Sequence, residues 1–93
     1  MTFDVKYTSR FKKDYKLCQK RGLDVAKLLA VIDMLRQEIT LGPEYHDHPL
    51  SGDYIGHRDC HVSPDWVLIY YKSESSLVLT CVRTGSHSDL FGQ

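Results

Sequence analysis

No stretch of this chain is apolar enough to cross a bilayer. Its longest apolar run is Trp66 to Tyr70 with Tyr71 attached, far short of the ~20 residues a spanning helix needs. The opening "MTFDVKYTSRFKK" lacks an apolar segment followed by a small-residue cleavage site, so no secretory signal is expected. Cysteine is scarce: Cys18, Cys60 and Cys81 are odd in number and show no CxxC spacing. That argues against a disulfide framework and for reduced thiols in a cytosolic protein. Repeats and low-complexity segments are missing too. Ninety-three residues are too few for two domains, so residues 1–93 are expected to form one. Net charge is also absent, with 12 bases against 12 acids.

The balance hides an uneven distribution. Residues 1–27 hold eight bases and three acids, a surplus of +5, and residues 28–93 carry the matching deficit. A basic front half attracts a polyanion even when the sum is neutral. The plainer alternative is a solvated helix surface.

The first element, "FDVKY" (Phe3 to Tyr7), alternates as a short strand does. Thr8 or Ser9 is placed to cap a helix whose inner face carries Phe11, Tyr15 and Cys18, while Lys12, Lys13, Lys16 and Lys20 stay wet. Gly22 ends that helix and Asp24 caps the next. In the second helix Val25, Leu28, Leu29, Ile32, Leu35 and Ile39 form a stripe, with "LGP" (Leu41 to Pro43) as its expected stop. A polar loop from Glu44 to Gly56 precedes three strand-like runs, "GHRDCHV", "WVLIYYK" and "LVLTCVR". The middle run is apolar on both faces and should be central. After Arg83, "TGSHSDLF" suits a short helical turn capped by Ser86 or Ser88. The order strand, helix, helix, strand, strand, strand predicts an α+β domain, its sheet packed on a helical hairpin.

All five histidines lie after residue 45: His46, His48, His57, His61 and His87. Imidazole titrates near pH ~6.5 and moves protons at neutral pH. If the last strand lies beside the middle one, His48, His61, Asp65, Arg83 and His87 converge on one rim. Metal binding by "HDH" or by His57 and His61 is a weaker reading, because strand residues four apart lie about 13 Å from one another. A Cys60/His61 nucleophile is weaker still, since strand neighbours face opposite ways. Cleavage of RNA without a metal fits the residue types better. One group takes the 2′-hydroxyl proton, another protonates the leaving 5′-oxygen, and a guanidinium meets the phosphorane. Trp66, Tyr54 or Phe91 is available to stack on a base.

The segments "DHPLSG", "RDCHVSPDWVLIY" and "RTGSHSDLF" closely resemble the YafQ branch of the RelE/ParE superfamily of bacterial type II toxins. The resemblance spans nearly the whole chain and implies a RelE/ParE-like fold. It also implies a ribosome-dependent endoribonuclease that cuts mRNA without cofactor or metal in the bacterial cytoplasm. A cognate antitoxin would silence it, and DNA would be met only through the antitoxin complex. Carried over by position, His48, His61, Asp65 and His87 become the acid–base set, with His87 the expected proton donor. Arg83 becomes the phosphate clamp, and Trp66 and Phe91 position the substrate. Lys12, Lys13, Lys16, Lys20 and Arg21 are the candidate ribosome contacts. Toxins of this superfamily are usually basic, whereas this chain is neutral. Two rivals remain: a ParE-like binder of a protein such as DNA gyrase, and a small metal-dependent hydrolase.

Overall fold

The computed structural model describes residues 2–92. Strand β1 (Asp4–Tyr7) leads through Thr8 into α1 (Ser9–Lys20), and Asp24 opens α2 (Val25–Arg36). The Thr8 hydroxyl accepts from the Phe11 amide and the Asp24 carboxylate from the Ala26 amide, so each helix starts on a side-chain cap. Helix α1 ends in a Schellman turn at Gly22, where the Leu23 amide donates to the Cys18 carbonyl.

Helix α2 stops earlier than its apolar stripe suggests. Glu38 takes a left-handed backbone (φ 61°), and the Ile39 amide donates to the Met34 carbonyl in a second Schellman turn. Asp33 collects Arg36 and Gln37 side chains just before this turn. The expected stop at Gly42 is therefore corrected. Leu29 and Ile39 from the predicted stripe face solvent, while Val31 joins Leu28, Ile32 and Leu35 inside.

Strands β2 (His48–Pro49), β3 (Arg58–Ser63), β4 (Trp66–Ser73) and β5 (Val78–Gly85) complete a five-stranded sheet of order β1-β5-β4-β3-β2. The β1–β5 pair is parallel and the others antiparallel. As expected, β4 is central, with buried residues from Trp66 to Tyr70. The edge pair β2 lies inside the segment predicted as loop; it is only two residues long, and Pro49 is tolerated there because an edge strand has a free side. A last helix, α3 (His87–Phe91), follows Gly85.

One face of the sheet packs on α1 and α2 around Phe3, Phe11, Leu28, Ile32, Leu68 and Tyr70. The other face carries a smaller cluster, Val67, Ile69 and Leu90. All three cysteines are free and buried, Cys60 and Cys81 fully so. Burial pushes the Cys81 thiol up to about 12 and drives Cys60 higher still. Neither is a nucleophile at neutral pH. Among the described residues no helix is long and apolar enough to cross a membrane.

Candidate active site

The site sits on the lightly covered face of the sheet. Alternation along β3 sends Cys60 and Val62 into the helix-side core and leaves Asp59 and His61 on the opposite side. Because β2 pairs with β3 in the register His48 to Asp59, His48 stands next to that carboxylate. Helix α3 folds over the same face. Its capping box is complete, with the Ser86 hydroxyl accepting from the Asp89 amide and Asp89 accepting from the Ser86 amide. Gly85 makes the bend possible: at its φ of 156° a side chain is strained, and a Cβ there would lie 3.1 Å from Asp89 Oδ2.

These elements gather imidazoles. The His61 ring centroid is 5.1 Å from that of His46 and 5.2 Å from that of His87. One helical turn on, the Phe91 ring lies 6.1 Å from His87, with Tyr54 edge-on to it at 6.1 Å. Asp65, from the β3–β4 turn, accepts from both Nδ1 (3.2 Å) and the backbone amide (3.4 Å) of His87. An open cleft of about 490 Å³ borders His46 and His61 and is also lined by Lys27, Glu44 and Tyr45.

The two central histidines have unlike surroundings. Burial first, and the nearby His87 second, hold His61 below its ordinary value, which favours its neutral, proton-accepting form. His87 instead donates Nδ1–H to a carboxylate that the same bond holds below its own ordinary value. With Nδ1–H committed to Asp65, Nε2 is the ring nitrogen left free for proton transfer. A ring biased toward accepting a proton and a ring oriented by a carboxylate thus stand in edge contact.

Three expected site residues are placed differently from expectation. Trp66 is a core residue: it is 4% exposed, and its indole N–H donates to the Thr84 hydroxyl at 2.9 Å. A base has no ring face to stack on there. Arg83 gives Nε (2.7 Å) and Nη2 (3.1 Å) to the Asp14 carboxylate of α1, so only Nη1 makes no bond to Asp14. Arg21 donates to Asp89 at 2.7 Å and ties the end of α1 to α3, though its side chain remains 47% exposed. By contrast Lys12, Lys13, Lys16 and Lys20 are all exposed along α1, away from the imidazoles. Lys12 and Lys16 rim a separate apolar groove over Tyr7, Phe11, Tyr15 and Leu29.

Asp59 and Asp14 were not singled out in the sequence, and His46 was weighed only as a metal ligand within "HDH". The i, i+2 spacing of Asp59 and His61 was a usable signal, since it puts both on one face of a strand. His46 depends on a left-handed backbone (φ 46°) that its neighbours do not announce. Asp14 and Arg83 are 69 residues apart, and nothing local links them.

The family model described as the bacterial toxin of type II toxin–antitoxin systems, YafQ, matches residues 3–92. The mRNA interferase toxin YafQ of Escherichia coli K12 is 43% identical over 90 residues, covering 96% of each chain. In the crystal structure of the E. coli DinJ–YafQ toxin–antitoxin complex, a chain 42% identical matches with a TM-score of 0.89, covering 99% of this chain and 100% of that one. A metal-bound toxin from Helicobacter pylori, 40% identical, matches with a TM-score of 0.90 over 98% and 100%. Among the described residues no group of three or more His, Cys, Asp or Glu side chains that could hold a metal ion is found. A match of the family model over residues 3–92, with this α+β fold, shows that the chain belongs to the YafQ family of type II toxins.

Proposed function

We propose that this toxin is an endoribonuclease that cuts mRNA on the ribosome by acid–base chemistry through the 2′-hydroxyl. The observation that carries the reading is the His61–His87 pair, two imidazoles 5.2 Å apart, one partly buried and the other oriented by Asp65. His61 accepts the 2′-hydroxyl proton, with His48 the second basic group beside it. The 2′-oxygen attacks phosphorus and the bond to the 5′-oxygen breaks. His87, oriented by Asp65, delivers its Nε2 proton to that oxygen. The products are a 2′,3′-cyclic phosphate and a free 5′-hydroxyl, and the protons balance. Phe91, braced by Tyr54, stacks on the reacting nucleotide, and Arg83 meets the phosphate only through Nη1.

The mRNA alone is a poor ligand for a neutral chain, because phosphate contacts dominate such binding. The exposed lysines of α1 supply the ribosomal contact, and the ribosome presents the message. A cognate antitoxin holds the toxin inactive, as the relative's complex with DinJ suggests, and DNA is reached only through that complex. The site of action is the bacterial cytoplasm.

Primer extension on a defined mRNA, with purified toxin and with or without ribosomes, tests this. New 5′ ends are expected only with ribosomes, unaffected by prior treatment of the toxin with a transition-metal chelator, and lost in folded His87→Ala. Folded His87→Ala at full activity overturns the acid assignment. Blocked DNA replication with no new 5′ ends overturns the nuclease reading altogether.

A further inference from the structure

Asp14 belongs to α1, yet its side chain, 10% exposed, is tied to the strand that leads into α3. Strand β1 pairs with β5 only as far as Cys81. Beyond that point α1 flanks the edge of β5, and the Thr84 amide there donates to Asp14 Oδ2 at 3.2 Å. The same oxygen accepts from Arg83 Nε at 2.7 Å, and Oδ1 accepts from Nη2 at 3.1 Å. Three donors thus fix one carboxylate.

Two parallel bonds from a planar fork settle both the position of the guanidinium and its rotation. Both hydrogens of Nη1 are left clear of Asp14. The sheet register places this group near the imidazoles. Arg83 stands opposite Ile69 and Ile69 opposite Asp59, one pleat along from the row of Gly85, Val67 and His61. The bond to Asp14 is the largest cause of a raised Arg83 pKa, and Tyr54, whose ring meets Phe91 edge-on, adds to it. The guanidinium is therefore within reach of α1 and of the aromatic pair beside His87.

A stabilising strut does not require this arrangement. Buried ion pairs are seldom better for a fold than apolar packing, and a lysine would neutralise Asp14 without fixing a direction. What the forked pair adds is orientation. A donor aimed before the phosphate arrives needs no reorganisation as charge grows on the phosphorane. We infer that Asp14 is a positioning residue for cleavage: it holds the Arg83 guanidinium so that Nη1 faces the scissile phosphate. The inference rests on the nuclease reading proposed above.

Asp14→Asn keeps the shape and one acceptor oxygen, so the Arg83 fork loses one of its two bonds and turns more freely. The cleavage rate constant at saturating ribosomes, per folded toxin, should fall at least about tenfold, while the half-saturating ribosome concentration does not rise. A second comparison separates aim from support. In Arg83→Ala, Asp14 is a buried charge without its guanidinium, so adding Asp14→Asn should raise the urea midpoint and cause no further loss of the residual cleavage. In the wild type the same substitution should lower both. Equal slowing with and without Arg83, or full-rate cleavage by Asp14→Asn, overturns the inference and leaves the nuclease reading intact. Should Asp14→Asn not fold, ¹H–¹⁵N spectra of wild-type toxin decide, assigned by comparison with Arg83→Lys. Restricted rotation should give Arg83 separate Nη1 and Nη2 signals in the cold; one averaged signal overturns the fixed aim. Wild-type toxin that makes no new mRNA ends on ribosomes defeats the nuclease reading, and this inference falls with it.

Discussion

Replacing Arg83 with alanine strands Asp14. That carboxylate and the guanidinium are 10% and 14% exposed, with one bond at 2.7 Å and a second at 3.1 Å. Asp14 also accepts from the Thr84 amide at 3.2 Å, so it stays in place after the arginine leaves. Removing one partner of a buried pair costs about 3–5 kcal/mol. Because some water reaches both groups here, the lower figure of about 3 kcal/mol is expected. For a domain of this length each kcal/mol lowers the melting temperature by roughly 4–8 °C, so the drop is about 12–24 °C. Against a total stability of about 5–15 kcal/mol, the variant stays folded at 25 °C with a thin margin. Urea unfolding at 25 °C measures the loss, and a cycle with Asp14→Ala measures the coupling, expected near 2 kcal/mol. Arg83→Ala with an unchanged urea midpoint, or two substitutions that simply add, refutes the strut. The outcome also governs how activity data are read. Lost cleavage in Arg83→Ala supports a phosphate contact only if the folded fraction is corrected for, and Arg83→Lys, which keeps the charge but not the fork, separates the two roles.

Asp65→Asn removes the acceptor from His87 at an exposed site; its urea midpoint should stay unchanged, while single-turnover cleavage falls at least about tenfold, part of the ~10²–10⁴ a positioned acid supplies. Arg21→Ala should speed amide hydrogen exchange in α3 and slow cleavage while leaving the urea midpoint nearly unchanged, since the pair is solvated; unchanged exchange in α3 would return Arg21 to the ribosome contacts. Its bond holds the Asp89 carboxyl down at about 2. The folded value is the lower one, so this stabilisation is complete above the ordinary carboxylate range and fades as pH falls toward 2, and Asp89→Asn should flatten that part of the urea-midpoint curve. Trp66→Phe should cost about 1–3 kcal/mol by leaving Thr84 short of a partner and leave the cleavage rate of the folded protein unchanged; a selective loss of cleavage would restore Trp66 to the substrate.

Where signals are local, the chain announced its structure. Thr8, Asp24 and Ser86 each cap by bonding an amide two or three residues on, and those spacings are visible in one dimension. Strand β4 was legible because continuous apolarity needs cover on both sides. Helix α2 misled because its stop depends on Glu38 accepting a left-handed backbone, a modest cost that the Asp33 contacts help offset, while Gly42 offered a more obvious but false terminus. At the site, the meeting of His61, Asp65 and His87 followed once β5 was set beside β4. Asp59 did not follow, because an acid in an apolar strand looks like surface until the strand on its far side is known. Trp66 and Arg83 carried a substrate-like chemistry that the fold claimed first, through Thr84 and Asp14.

The asymmetry of the sheet explains why the site can exist at all. The helix-side face holds most of the large buried side chains, so the stability of the fold does not depend on the other side. There the buried apolar cluster among the described residues is just Val67, Ile69 and Leu90, and α3 is five residues long, too short to persist unaided. It is held by its capping box, by Arg21 on Asp89 and by Leu90, and Gly85 supplies the bend. An apolar cover thick enough to stabilise this face would also bury the imidazoles and drive out the water and phosphate they must meet. Thin cover leaves His61 partly desolvated, enough to favour its neutral form, and leaves His87 open on Nε2. On this argument the proton-transfer groups tolerate changes in the helix-side core that preserve the sheet, and respond sharply to small changes around α3.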